Sequence, residues 1–373
     1  MKTQTVHGAR QREKKAFLAL ADATIFRGWS CGAPVDRLGE VVFNTGMTGY
    51  QEILTDPSYA GQFIAFTAPE MGNTGFNRED MESNALQASG LLLREMNPPS
   101  NWRSEESLET ALLRWNTPAI AGVDTRALTL KLRDGGTQKG FLCTTGTMPE
   151  AEAVEQARAW VGLDGQDYAS IVTTKCPYEW QRQNAGVVSH PLVAVLDYGV
   201  KFNTLRQLSA HGFHVQVFPA RTTAEDVLQL HPAGVLLSNG PADPAALGYA
   251  VKTVQKLLGR VPLMGICLGH QLLALALGGR TRRLKFGHHG CNHPVQDLRT
   301  GMVEITSQNH NYVVEADSLD PTLAEITHIS LNDRTVEGLA CKAFPAFSLQ
   351  YHPEAAPGPH DAMPAFERFT RML

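Results

Sequence analysis

The second half of the chain alternates between short apolar runs and amphipathic segments, and few folds accept that pattern. Apolar runs at 192–196, 214–218, 234–237 and 262–266 predict strands, and segments at 203–210, 223–230, 247–258 and 268–277 predict helices between them. Strands this short and this apolar are buried on both faces, so the expected fold class is α/β, with a parallel sheet covered by helices on each side. In such sheets the chemically active groups gather beyond the carboxyl ends of the strands. Two segments fall there: Ser238-Asn239-Gly240-Pro241-Ala242-Asp243-Pro244 and Gly265-Ile266-Cys267-Leu268-Gly269-His270-Gln271.

A chain of 373 residues holds two or three domains at roughly 150 residues each. In the first half, 16–20 and 23–26 read as a hairpin, with further strands at 40–43, 63–67, 90–94, 119–123 and 140–144. Helical patterns occupy 104–114, 125–133 and 149–160. The expectation is a mixed α/β domain over 16–160 with no catalytic pattern of its own. Residues 1–15 are polar and basic and read as a flexible leader. Periodicity is lost over 161–190, which reads as the inter-domain connection, with Trp160, Tyr178 and Trp180 packing around it. The second domain then runs over 191–373.

Composition narrows the function. The chain is 43% hydrophobic and 19% charged, enough to fill cores, and its formal net charge of -4 argues against a nucleic-acid or anionic-membrane binder. No apolar run approaches the roughly 20 residues that cross a bilayer. The six cysteines include no C-x-x-C pair and no zinc spacing, and no signal-peptide pattern precedes them. A reducing, cytoplasmic setting is the expectation.

Gly265-x-Cys267-x-Gly269, between a buried strand and a helix, has the form of a nucleophile elbow with sulfur in place of oxygen. The glycines allow a sharp turn, and the helix N-terminus presents free N–H groups to an anion, that of Leu268 first. A thiol nucleophile needs an acid/base partner. Gln350-Tyr351-His352-Pro353-Glu354 follows an apolar run near the C-terminus, so His352 at a strand end with Glu354 two residues on forms a candidate pair.

The order Cys267…His352-x-Glu354 resembles the class I, triad-type glutamine amidotransferases. The resemblance extends to 44–52 (Asn44-Thr45-Gly46-Met47-Thr48-Gly49-Tyr50-Gln51-Glu52), 54–59, Asp124-Thr125-Arg126, 285–290 and 357–361. Together these resemble one subfamily, the small, glutamine-hydrolysing subunits of carbamoyl-phosphate synthetases, over nearly the whole chain. That resemblance implies a class I amidotransferase domain preceded by a small-subunit α/β domain. It implies that Cys267 forms a γ-glutamyl thioester with L-glutamine, that His352 moves the protons and that Glu354 orients it. Leu268, Gly240 and Ala242 would hold the oxyanion. Gln271, Asn309, Asn311, Tyr312 and, from the first domain, Gly46 match positions that grip glutamine. It further implies a heterodimer with a large subunit that carries ATP and magnesium, receives the ammonia through an internal tunnel and serves arginine and pyrimidine biosynthesis. No cofactor is expected on this chain, which has no Gly-x-x-x-x-Gly-Lys-[Ser/Thr] loop.

Several positions depart from the family pattern. Ala242 stands where Gly is usual, Asn311-Tyr312 replaces Gly-Phe, Gly46 replaces a frequent Ser, and Tyr351 replaces a frequent Gly outside the chemical core. Alanine retains the backbone N–H at a cost for any positive φ. Asparagine tolerates left-handed backbone, but its side chain must crowd or bond something in the pocket. His288-His289-x-Cys291-x-His293 offers metal-ligand types, yet so compact a cluster cannot easily bring four groups to one ion, and a role in loop structure is expected. Two other readings stay open: a docking or regulatory subunit with a drifted pocket, and an amidotransferase or free thiol hydrolase serving another system. The intact Cys267, His352 and Glu354 oppose the first, and the additional amino-terminal domain opposes the second.

Overall fold

The computed structural model describes residues 14–180, 190–241 and 243–373. Residues 1–13 of the expected leader, 181–189 of the expected connection, and Ala242 lie outside the described residues. The chain divides into two compact units, Met1–Leu163 and Asp164–Leu373.

In the first unit the short strands are β1 (Lys15–Leu20), β2 (Ile25–Ser30), β3 (Arg37–Asn44), β4 (Gln62–Phe66), β5 (Glu70–Met71), β6 (Gly90–Leu92), β7 (Glu95–Met96), β8 (Ala119–Ala121) and β9 (Gln138–Cys143). Seven of them close a barrel in the order β1-β2-β8-β6-β4-β3-β9, and β5 pairs with β7 in a separate two-stranded ribbon. Alternation along the strands sorts side chains to its two faces. Leu18, Leu20, Val41, Phe63, Ala65, Leu92, Ile120 and Leu142 share one cluster, to which the helix Thr125–Gly135 adds Leu128 and Leu132, four residues apart on one face. Their strand neighbours point the other way. Val42, Ile64, Phe66 and Leu91 meet the helices Tyr50–Thr55 and Leu108–Arg114, while Ala19, Phe141 and Cys143 meet the helix Glu150–Ala159. Lys15 already opens β1, so the strand starts one residue inside the expected leader. The helix expected from 104 starts only at Leu108, where Ser107 accepts the N–H of Thr110 at 3.1 Å and ends the preceding loop.

The second unit carries β10 (Tyr178–Glu179), β11 (Leu192–Asp197), β12 (His214–Pro219), β13 (Gly234–Leu237), β14 (Leu263–Ile266), β15 (Thr281–Asp297), β16 (Val303–Val314), β17 (Ala324–Ser330), β18 (Val336–Cys341) and β19 (Ala346–Leu349). They form one sheet ordered β10-β12-β11-β13-β14-β19-β18-β17-β15-β16. The pairs from β12 through β11, β13 and β14 to β19 are parallel. From β19 outward the pairing is antiparallel. The parallel half carries a core on each face. Ala194, Leu196, Val235, Leu237 and Leu263 face the helices Gly248–Leu257 and Leu268–Ala276. Val193, Val195, Leu236, Met264 and Ile266 face the helices Phe202–Ala210 and Pro364–Thr370.

The boundary between units lies at the start of the segment expected as a connection. Residues from Asp164 onward are built into the second unit: Thr173 Oγ1 donates to the Asp197 carbonyl at 2.6 Å, and the Thr174 N–H to Asp197 Oδ2 at 2.7 Å. β10 pairs antiparallel with β12, and the Trp180 ring lies 5.0 Å from that of Phe202. Trp160 stays with the first unit, where its carbonyl accepts from Lys139 Nζ at 2.6 Å.

Candidate active site

Cys267 follows β14 and precedes the helix Leu268–Ala276, with φ 52 and ψ -101, a conformation that a side chain bearing Cβ adopts only under constraint. Its flanking glycines supply that constraint. A Cβ on Gly265 would lie 2.6 Å from the Gly269 carbonyl oxygen, and one on Gly269 would lie 2.1 Å from that of Leu237. The strand end, the elbow and the first helical turn therefore touch backbone to backbone. The Gly269 N–H donates to the Ser238 carbonyl at 3.0 Å, and those of His270 and Gln271 to Cys267 at 3.0 and 3.2 Å. The Leu268 N–H heads the helix, where no intrahelical acceptor exists for it. A Cβ on Gly240 would meet the Tyr198 carbonyl oxygen at 2.1 Å and Leu268 Cδ2 at 3.1 Å, which places the Gly240 backbone against the elbow.

His352 and Glu354 follow β19, the parallel neighbour of β14, so the two strand ends deliver Cys267 and His352 side by side. His352 Nδ1 lies 2.7 Å from Glu354 Oε1, and both residues are buried. The other ring nitrogen, Nε2, makes no completed hydrogen bond, and the Cys267 thiol lies close enough to add to the ring's charge balance. Burial opposes a charge on His352, but the Glu354 carboxylate and the Cys267 sulfur outweigh it and push its pKa up to about 10. Burial likewise opposes the Glu354 carboxylate. The Lys201 ammonium, together with His352, holds it down to about 2.

Lys201 was not identified from sequence. Its Nζ lies 3.2 Å from Glu354 Oε1 and also donates to the Ala355 carbonyl, with the side chain 2% exposed. Asn203 Nδ2 donates to the Glu354 carbonyl at 2.5 Å. Both follow β11, and Asp197 Oδ1 shapes their loop by accepting the N–H groups of Gly199 and Val200 at 2.9 and 2.8 Å. Ala355 and Ala356 have φ 53 and 51, so the backbone leaving Glu354 is held in a left-handed conformation that these donors stabilise. The available sequence signal for Lys201 was its place just beyond the carboxyl end of a buried strand.

The expected glutamine-side residues of the second unit gather on β16 and the elbow helix. The Asn309 carbonyl lies 3.6 Å from Cys267 Sγ. Gln271 Nε2 donates to the Tyr312 carbonyl at 2.8 Å and to Gln350 Oε1 at 3.1 Å, so its amide group ties the elbow helix to β16. The Tyr312 hydroxyl donates to Asp164, which also pairs with Arg283. The Asn311 side chain has found a partner: its Oδ1 lies 3.1 Å from His289 Nε2. Gly46 belongs to the first unit, where Asn44 Oδ1 accepts its N–H at 2.7 Å. Tyr351, expected outside the chemical core, is buried at 1% exposure between β19 and His352, with its hydroxyl 3.1 Å from Glu304 Oε2.

The histidine-rich motif separates into different surroundings. Cys291 Sγ faces the Pro357 carbonyl at 3.7 Å and His289 turns to Asn309 and Asn311. His288, His310 and Glu337 place ligand-type atoms within 4.8 Å of one another. His288 lies 2.9 Å from Asp333 and 3.7 Å from Glu337. Burial disfavours its charge, yet these two carboxylates push its pKa up to about 9.

Residues 194–372 match the glutamine amidotransferase class-I family, and residues 18–142 match the CPSase domain of the carbamoyl-phosphate synthase small chain. A Syntrophotalea carbinolica protein named carbamoyl phosphate synthase small chain is 51% identical over 370 residues, covering 96% of this chain and 98% of that one. A Pseudomonas aeruginosa protein of the same name is 50% identical over 373 residues, with 96% and 98% covered. A chloroplastic form from Oryza sativa is 49% identical over 368 residues, with 96% and 82% covered. The two domain matches in this order, and near-full-length identity of about one residue in two, show that the chain belongs to the carbamoyl-phosphate synthase small-chain family, with its class-I glutamine amidotransferase domain on the unit that holds Cys267.

Proposed function

We propose that this chain hydrolyses L-glutamine and supplies ammonia to a large, ATP- and magnesium-dependent subunit that makes carbamoyl phosphate from bicarbonate. The observation that carries the reading is the buried line Lys201–Glu354–His352 ending beside a Cys267 held at positive φ. With the thiol proton already on His352, Cys267 Sγ attacks the glutamine side-chain carbonyl carbon. The Leu268 N–H and the backbone at Gly240 and Ala242 receive the negative oxygen. Collapse of that intermediate breaks the C–N bond, and His352 returns its proton to the departing ammonia, leaving a γ-glutamyl thioester. His352 then takes a proton from water, whose oxygen attacks the thioester, and glutamate leaves as Sγ regains its proton. Glu354 holds the imidazolium through both halves, and Lys201 keeps Glu354 ionised.

Asn309, Asn311, Tyr312 and Gln271 shape the wall on which glutamine lies, with Gly46 assigned to the same task on its motif. The barrel unit is read as the docking module for the large subunit, to which ammonia passes through a tunnel, the product feeding arginine and pyrimidine biosynthesis. All six cysteines are free thiols, as a reducing, cytoplasmic setting would keep them. Among the described residues no helix is long and apolar enough to cross a membrane. The test is ammonia release from glutamine by the chain alone and with its large subunit, ATP and bicarbonate, beside Cys267→Ser. Hydrolysis that rises with the partner and vanishes in the variant is expected. A wild-type chain that stays silent with its partner refutes the reading.

A further inference from the structure

His289 belongs to neither the proton-transfer line nor the expected substrate contacts, yet it is 3% exposed and bonded at both ring nitrogens. Nδ1 lies 3.0 Å from Asn309 Oδ1, and Nε2 lies 3.1 Å from Asn311 Oδ1. The register explains the reach. β15 and β16 pair His289 with Asn309 directly, so the ring lies across its partner and extends to the residue two further along the same face. Gly287, at φ 73, backs the contact: a Cβ there would lie 2.4 Å from Asn311 Oδ1 and 2.5 Å from His289 Nε2. The ring and both amides are thus enclosed.

Burial first, and then the positive charges of His288 and Arg283, keep the ring neutral, outweighing its two amide contacts and taking its pKa down to about 4. A neutral imidazole has one N–H and one lone pair. One asparagine must therefore accept from the ring while the other turns its NH₂ toward it, since the oxygen and nitrogen of an amide are placed by their hydrogen-bond network. The three side chains form a donor–acceptor chain with a fixed direction. It anchors the segment whose Asn309 carbonyl lies 3.6 Å from Cys267 Sγ.

We infer that His289 is a positioning residue for glutamine binding: by clamping Asn309 and Asn311 it holds the 309–312 segment of β16 in the place where the substrate must lie beside Cys267. The inference rests on the glutaminase reading for its substrate but on the clamp for its mechanism. A clamp on the binding wall acts on substrate and transition state alike, so its loss raises KM and leaves kcat nearly unchanged. The amide of Asn stands in for Nδ1 of a histidine, and that of Gln for Nε2. The contact next to Sγ is made through Nδ1, so His289→Asn keeps the bond to Asn309 while His289→Gln keeps only that to Asn311.

The experiment measures glutamine hydrolysis in the assembled complex for wild type, His289→Ala, His289→Asn and His289→Gln, with hydrogen exchange of the full chain across 307–312. For His289→Ala the expectation is a KM raised by about tenfold or more with kcat within about threefold. His289→Gln should resemble it, while His289→Asn should restore KM to within about threefold of wild type. Exchange should quicken over 307–312 in the Ala and Gln variants and not elsewhere in the unit. An unchanged KM in His289→Ala, a fall in kcat without a change in KM, an Asn variant as impaired as Ala, or faster exchange throughout the unit overturns the inference. The exchange measurement needs no turnover. A complex inactive even as wild type therefore refutes the glutaminase reading, while the exchange pattern still decides the clamp.

Discussion

Replacing Lys201 with methionine tests the charge relay most directly, because methionine keeps the length of the buried stem and deletes only the ammonium. Glu354 is fully buried, and burial by itself would raise its pKa; Lys201 is the largest influence holding it down to about 2 from an ordinary 4.5. That displacement is worth about 3 kcal/mol, and deleting one partner of a buried pair costs about 3–5 kcal/mol. Protonation of Glu354 bounds the loss, since a neutral carboxyl no longer suffers the burial of its charge. A group with a depressed pKa contributes stability that is present above its unfolded value and lost as pH falls through its folded value. The wild-type chain should therefore exceed Lys201→Met by about 3 kcal/mol near neutral pH, the two converging as pH falls from about 4 to 2. A neutral Glu354 also cannot stabilise the His352 imidazolium, so kcat/KM for glutamine should fall about 100-fold, with partial recovery as pH rises. Urea unfolding at several pH values, and ammonia release across the same range, measure both effects. An acid limb of the rate profile that stays in place, with stability within about 1 kcal/mol of wild type at neutral pH, would refute the argument.

Gly269→Ala should cost about 3 kcal/mol and abolish hydrolysis, because its Cβ would lie 2.1 Å from the Leu237 carbonyl oxygen; calorimetry and the ammonia assay check it, and a stable, active variant would show that the elbow yields. Asp333→Asn removes one of the two carboxylates that hold His288 at about 9. A raised histidine pKa contributes stability that is full below 6.5 and lost as pH rises through the folded value, so the variant should be about 2 kcal/mol less stable near pH 6 and indistinguishable above about pH 10 by urea unfolding. Leu128→Ala, deep in the barrel core of the first unit, should cost about 3 kcal/mol while leaving alkylation of Cys267 by iodoacetamide at its wild-type rate.

Much of the second unit was legible because its strands are apolar over their whole length and its helices carry clear periodicity. β11, β13 and β14 fall within one or two residues of their expected places. The reading failed where pairing partners are remote. No local pattern announces that β19 joins the parallel set or that β15 through β18 extend the sheet antiparallel. Each of the seven barrel strands of the first unit overlaps a strand expected from sequence, but barrel closure depends on β1 meeting β9, more than a hundred residues away. Residues 164–180 of the expected connection lack periodicity for a related reason: they belong to the second unit, held by Asp197 and β12.

Sequence by itself singled out Cys267, His352 and Glu354 as candidates, because glycines around a cysteine at a strand-to-helix junction, and a histidine two residues before a glutamate, are patterns written in local spacing. It also determined the family, through motifs spread along the whole chain. Tertiary structure alone decided that Lys201 faces Glu354, that Tyr351 is buried on Glu304, that Asn311 bonds His289, and that His288 lies between Asp333 and Glu337. Each of those contacts joins residues from separate strands or loops. A buried charge or amide declares its partner only when the fold removes water from both.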